Sequence, residues 1–232
     1  MAALFPILIG ILPSFVWILF FIREDEARPE PKLLLFYTFL AGGVATFFTL
    51  GPQIVVNGML QNVGIPQYSF FSLFVLAGLE ELFKFLAVYA VVAWRKEFDE
   101  PLDAMIYMIV AALGFAAVEN IASIVQGGAA ILASADAIQV LSLRFIGATL
   151  LHGLSSALVG YYWGMAMVKH ISYNTMIVEG LGVATLLHAT FNTFILIFSP
   201  EAMVGTLFLV VASFFILNDF EKLKTAEQAS VV

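Results

Sequence analysis

Residues 69–94 read SFFSLFVLAGLEELFKFLAVYAVVAW. About 20 apolar residues suffice to cross a bilayer as a helix, so the run is long enough to span. Near its middle, however, it holds Glu80, Glu81 and Lys84. Ionisable groups at bilayer depth cost roughly 2.5–3.5 kcal/mol each on insertion scales, so they face a bundle interior and mark function. This one segment therefore predicts a membrane helix and also neighbours that share its polar face.

Working outward, six further apolar runs of spanning length appear: Ala2–Ile22, Leu33–Val56, Ala104–Gln126, Ile138–Val168, Thr175–Phe198 and Ala202–Leu217. The composition agrees, with 62% hydrophobic and 12% charged residues and a mean hydropathy of +0.99. Soluble domains carry about a quarter charged residues. Segments in lipid must satisfy their backbone internally, so the expected fold is all-α, a polytopic bundle of about seven transmembrane helices. No soluble domain fits between the runs, and residues 1–232 read as a single integral membrane domain. The core that carries the buried polar residues is expected at about 69–198, with 218–232 a cytoplasmic tail and Thr225–Val232 mobile. The first run lacks a basic n-region and reads as a retained helix. Asn57–Tyr68 and Gly127–Ala137 read as loops, with Gly127-Gly128 a break. The chain has no cysteine, which removes disulfides, thiolate ligands and a cysteine nucleophile. Nor is there a basic nucleic-acid footprint.

The basic residues give the orientation. Arg23, Arg28 and Lys32 fall in the first connection, Arg95 and Lys96 in the third, Lys169 in the fifth, and Lys222 and Lys224 in the tail. In a seven-span topology all of these share one side. The positive-inside rule makes that side cytoplasmic, with the N-terminus outside and the C-terminus in the cytoplasm. Lys84 and Arg144 lie within runs.

Three other helices carry polar groups. The fourth holds Glu119 and Asn120 in FAAVEN, the fifth Arg144 and His152 in LRFIGATLLHGLSS, and the sixth His188 and Asn192 in LLHATFN. At 1.5 Å per residue, Glu80 lies roughly 16 Å below the outer end of its run, His152 roughly 20 Å, Glu119 roughly 10 Å and His188 roughly 15 Å. Four helices thus bring polar groups to the middle or outer half of the bilayer. The predicted cavity lies among helices three to six.

Spacing adds detail. Lys84 is three residues from Glu81 and four from Glu80, so it reaches either. His188 and Asn192 share a face, as do His152 and Ser156. Two histidines and a glutamate form a zinc ligand set that leaves a fourth position open. His152 and His188 with Glu119, or with Glu80 or Glu81, can supply it. A remaining glutamate then serves as general base and later proton donor. HExxH is absent, which excludes the zincin geometry.

These motifs, EExxK (Glu80, Glu81, Lys84), FxxxEN (Phe115, Glu119, Asn120), His152 with its small-residue run, and HxxxN (His188, Asn192), resemble those of the PrsW family of intramembrane proteases. That family is related to the CAAX-protease and bacteriocin-processing membrane enzymes, whose second motif offers a histidine where this chain has Glu119. The resemblance covers roughly residues 75–195. It implies cleavage of a membrane-anchored protein, such as an anti-sigma factor, near its extracytoplasmic membrane boundary, in the plasma membrane of a prokaryote.

The working assignment makes Glu80, Glu81 and Asn192 catalytic and Glu119, His152 and His188 ligands to Zn2+. Lys84, Asn120, Arg144 and Ser156 support them. The bland readings are a packing ion pair of Glu80 or Glu81 with Lys84 or Arg144, interhelical hydrogen bonds for Glu119, Asn120 and Asn192, satisfied core histidines for His152 and His188, and snorkelling or structural pairing for Arg144. The Gly160–Gly164 spacing reads as a close helix crossing. Competing functions are a CAAX-type prenyl-protein endopeptidase and a proton- or ion-coupled transporter. No inverted repeat or paired broken helices favour the transporter.

Overall fold

The computed structural model describes residues 4–25, 28–133, 144–169, 171–198 and 202–230. Among them are seven α-helices and no strand: α1 (Leu4–Phe21), α2 (Lys32–Asn62), α3 (Phe70–Val92), α4 (Pro101–Ala133), α5 (Leu150–Lys169), α6 (Tyr173–Ile197) and α7 (Ala202–Ser230). A 3-10 turn (Ile22–Asp25) follows α1, and a π-helical turn (Arg144–Thr149) leads into α5. The all-helical bundle read from the sequence is the fold observed.

Three boundaries differ from expectation. Helix α2 continues through Asn62, so Asn57–Asn62 are helix and not loop. Pro52 does not end it. It stops instead at Gly64, whose φ of +82° closes a Schellman motif through Gly64 N–H to Gln61 O (3.0 Å) and Ile65 N–H to Leu60 O (2.9 Å). Helix α4 runs through Gly127 and Gly128 to Ala133, because a helical glycine weakens a helix by about 1 kcal/mol without breaking it. Helix α7 runs to Ser230, so most of the expected tail is helical. Phe220 and Leu223 there are fully buried, and Lys222–Asp219 (2.6 Å) and Lys224–Glu221 (2.9 Å) pair at i,i+3.

Helices α4 and α5 form the centre. Residues 101–117 of α4 are buried without interruption, as are 149–160 of the α5 region. A helix apolar all round belongs inside. Around this pair, α1 and α2 pack on α4, α6 packs on α5, α7 packs on α5, and α3 packs mainly on α2 and α6. The outer helices turn apolar side chains outward, including Leu8, Phe47, Phe48, Ile54 and Phe214. A soluble protein rarely exposes so much apolar surface.

Five helical segments are long and apolar enough to cross a membrane: Ile7–Glu24, Lys32–Asn62, Pro101–Gln126, Tyr173–Ile197 and Val204–Ala226. The other two helices are α3 and α5. Helix α3 carries three charges close together, and α5 is rich in Gly, Ser and Tyr. Polar groups of the two turn toward one another, with Ser155 and Ser156 of α5 donating to Glu81 of α3.

Small residues set the closest crossings. A Cβ on Gly114 would lie 2.0 Å from Phe39 O, and one on Gly160 would lie 2.5 Å from Ala104 O. The Gly160–Gly164 pair is thus a packing device, as its spacing suggested. Below the polar residues, Trp163 gathers Phe98 (4.9 Å between centroids), Phe85 (5.2 Å) and Tyr173 (5.8 Å), joining α3, α5 and α6.

The basic residues converge on one end. Arg28 in the first connection pairs with Glu100 in the third. Tyr107 donates to Glu30, and Lys224 reaches Glu24 at 3.0 Å. Pro101 opens α4 there, and Asp103 reaches back to the Glu100 backbone N–H at 2.8 Å, half of a capping box.

Gly114→Leu should destabilise the bundle by about 1–3 kcal/mol or more through overpacking against α2. Gly182→Ala, where a Cβ meets nothing within 4 Å, should stay within about 0.5 kcal/mol of the parent. Thermal unfolding in detergent measures both.

Candidate active site

Glu81 is the most buried polar group of the cluster, fully enclosed with its neighbour Lys84. It lies on the face of α3 that also buries Ala77, Lys84 and Val88. Its Oε1 accepts from Lys84 Nζ (2.8 Å), Ser155 Oγ (2.9 Å) and His188 Nδ1 (2.8 Å). Its Oε2 accepts from Ser156 Oγ at 2.8 Å. A carboxylate buried in hydrocarbon requires such satisfaction. These bonds tie α3 to α5 and α6, where α3 and α5 otherwise approach only slightly.

The bond from His188 fixes that ring. Glu81 accepts, so Nδ1 carries the hydrogen and Nε2 presents a lone pair. Nε2 lies 3.7 Å from Glu80 Oε2. A carboxylate holding the far nitrogen of a histidine is the usual outer support of a metal-binding imidazole.

Glu80, the adjacent residue, has a different environment. Its Oε1 accepts from Gln53 Nε2 of α2 at 2.9 Å. Its Oε2 is buried and has no hydrogen-bond partner among the described residues. That orphaned oxygen also lies 4.0 Å from His152 Nδ1. The His152 and His188 rings meet edge to face, 5.1 Å between centroids. One donor atom from each of Glu80, His152 and His188 lies within 4.8 Å of the others.

His152 is held from both sides. Lys84 Nζ donates to Nδ1 at 2.7 Å, and Nε2 lies 2.8 Å from Glu119 Oε2. Phe115 packs on the same ring (5.7 Å) and also under the Lys84 ammonium (4.8 Å). Glu119 is the most open carboxylate here, with its side chain 36% exposed against 13% for Glu80 and none for Glu81. Exposure therefore rises from Glu81 through Glu80 to Glu119.

The set fits a divalent metal. Two imidazoles and a carboxylate with an open fourth position are a catalytic zinc set, in which donors stand about 3.3 Å apart. The separations of Glu80 Oε2, 3.7 and 4.0 Å, need a contraction of about 0.4 and 0.7 Å, and the group as a whole, spread over up to 4.8 Å, must draw in further. They also need His152 to give up one of its two present bonds. The orphaned Oε2 supplies the reason for that contraction.

The structure gathers most of the residues read from the sequence. Glu80, Glu81, Lys84, Glu119, His152, His188 and Ser156 all fall in this cluster. Asn120 lies at its edge, donating to Thr149 Oγ1 of the π turn at 2.9 Å. Asn192 is half-buried, one turn beyond His188 on α6. The Arg144 side chain lies outside the described residues. The three-donor group differs from the expected ligand set by one carboxylate, with Glu80 in place of Glu119. Two residues were missed. Ser155 was hidden beside Ser156, while Gln53 was legible as an amide within an apolar run, directly after Pro52.

Residues 30–218 match the family model described as PrsW family intramembrane metalloprotease. The chain belongs to the PrsW family. Among similar proteins, the Protease PrsW of Geobacillus kaustophilus (strain HTA426) is 30% identical over 158 residues, 68% of this chain and 64% of that protein. The Protease PrsW of Oceanobacillus iheyensis is 26% identical over 224 residues, 96% of each chain. That of Bacillus subtilis (strain 168) is 25% identical over 227 residues, 96% of this chain and 97% of the other. No solved structure matches. Membership places this chain among the intramembrane proteases, as an integral membrane protein, and bears out the resemblance carried by EExxK, FxxxEN and HxxxN.

Glu81→Ala leaves the buried Lys84 ammonium without its counter-charge and should destabilise by about 3–5 kcal/mol. Ser156→Ala removes one hydrogen bond and should cost about 1 kcal/mol. Unfolding in detergent separates them: equal, small losses would sink the hub role of Glu81.

Proposed function

We propose that this PrsW-family protein hydrolyses a peptide bond of a membrane-anchored protein substrate, near the extracytoplasmic boundary of the bilayer. Glu80, His152 and His188 hold a divalent metal, and Glu119 acts as the general base. The observation that carries this reading is the chain Glu81–His188–Glu80. It aims one imidazole lone pair at a buried carboxylate oxygen that lacks a partner.

Zinc fits the donor set best, and when bound it polarises the scissile carbonyl and makes the attacking water easier to deprotonate. Glu119 is the carboxylate outside the three-donor group and the most accessible one. Held beside His152, it takes the proton from the water as the water attacks the carbonyl carbon. It then returns that proton to the leaving amine, so one residue serves both steps. Glu81 holds the His188 ring, and Lys84 holds both Glu81 and His152. Asn192, on the same face of α6 as His188, offers an amide N–H to the oxygen that gains charge in the transition state. These roles exchange Glu80 and Glu119 relative to the sequence expectation and move Glu81 from chemistry to positioning. Four donors leave its oxygens no room to receive a proton.

The membrane orientation follows from charge. The Arg28–Glu100 and Lys224–Glu24 pairs gather the basic connections at one end. The positive-inside rule makes that end cytoplasmic and leaves the N-terminus outside. Glu80 sits about 15 Å inside the opposite end of α3 by helical rise, on the side from which an extracytoplasmic segment arrives. An anti-sigma factor is a substrate of this type.

Purified protein in detergent, assayed for bound metal and for cleavage of a single-span substrate, tests the assignment. Glu80→Gln and His188→Ala should lose both metal and cleavage. Glu119→Gln should keep the metal and lose cleavage by about 100-fold or more. A chelator should abolish cleavage in the parent, and added zinc should restore it. Full activity in Glu119→Gln, or metal retained in both ligand variants, contradicts the assignment.

A further inference from the structure

The motif residues lie on α3 to α6, yet the side chain that positions Glu80 comes from α2. Gln53 is half-buried and donates to Glu80 Oε1. Four residues further along, on the same face of the helix, stands Asn57. Its Oδ1 is buried and has no hydrogen-bond partner among the described residues. An amide carbonyl shut away from solvent without a donor is costly. Two amides on one face, one bonded to Glu80 and one without a partner among the described residues, are not explained by packing, because no residue of α2 after Thr49 is buried. The other side of this segment is apolar and open, with Ile54 74%, Val55 55% and Met59 61% exposed. The last turns of α2 therefore present amides in line with Glu80 on one side and a lipid-like surface on the other.

We propose that Gln53 and Asn57 form the subsite that binds the peptide backbone of the substrate next to the scissile bond. This deepens, and rests on, the proteolytic reading above. An intramembrane substrate arrives as a helix whose backbone groups are already paired. To be cut, it must unwind, and its freed N–H and C=O groups then need partners at membrane depth. Carboxamide side chains carry both a donor and an acceptor, which matches a peptide group whatever its side chain. Asn57 Oδ1 receives a backbone N–H, and Gln53, already bonded to Glu80, lies one turn nearer the site. The apolar side of α2 lies along the part of the substrate still helical. The occupant is thus an unwound segment of a membrane-anchored protein flanking its transmembrane helix, recognised by backbone and not by sequence.

The test compares parent and Asn57→Leu in the same cleavage assay. Losing one backbone hydrogen bond should raise KM about five- to tenfold with kcat nearly unchanged and bound metal unaltered. A photoreactive residue at position 57 should cross-link to the substrate within a few residues of the cut, and one at position 55 should not. If Asn57→Leu folds poorly, Asn57→Ser, which keeps an acceptor, and the cross-link decide. Unchanged KM in Asn57→Leu, or substrate cross-links absent from position 57, overturns the subsite. A parent that cleaves no single-span protein overturns the proteolytic reading instead, so the two failures are distinguishable.

Discussion

A carboxylate inside a membrane must find donors, and Glu81 finds four, drawn from α3, α5 and α6. The packing of these helices near the site depends on that constraint. Helices α3 and α5 approach each other little through their backbones, so the gap between them is filled by Lys84, Ser155 and Ser156 around one anion. In water such a network contributes little beyond its desolvation cost. In hydrocarbon the alternative is an unpaired charge, so the network also selects the helix rotation. Once Glu81 is inward, Glu80 is turned about 100° away, toward α2 and the histidine rings. One helix thereby gives two adjacent glutamates unequal tasks.

The surroundings preserve this arrangement. The glycine contacts of α2 with α4 and of α4 with α5 fix the central pair at close range. The aromatic group around Trp163 locks α3, α5 and α6 on the side nearer the basic end. Ion pairs close that end. No comparable ties appear beyond the site on α2 among the described residues.

Much of this was legible in the sequence because hydrocarbon is an unforgiving solvent. Glu80, Glu81, Glu119, His152 and His188 stood out as groups with no reason to lie in apolar runs unless they met. The seven helices followed from length and polarity alone. What composition could not supply was rotation and reach. Which glutamate becomes saturated depends on Ser155, Ser156 and His188, which lie more than 70 residues away. Gln53 became part of the site because α2 passes beside α3, a matter of topology and not of motif. Helix ends were misjudged for another reason. Gly127 and Gly128 read as a break, but a glycine in a well-supported helix is a weak stop. Polar Asn218–Ser230 read as tail, although Phe220 and Leu223 carry it back onto the bundle.

The unusual length of α2 has one more consequence. Its 31 residues extend about 46 Å, well beyond a hydrocarbon core of about 30 Å. Such a helix must tilt or bend, and Pro52 supplies the point where bending is easiest. Past that point one side of it, with Ile54, Val55 and Met59, is open and apolar while Gln53 ties the other to α3, so the thickness of the bilayer bears on its angle. Gln53 follows Pro52 directly and grips Glu80. The membrane itself thus becomes a mechanical input to the site: a thinner or thicker bilayer alters the lean of α2, and through one amide the presentation of the glutamate.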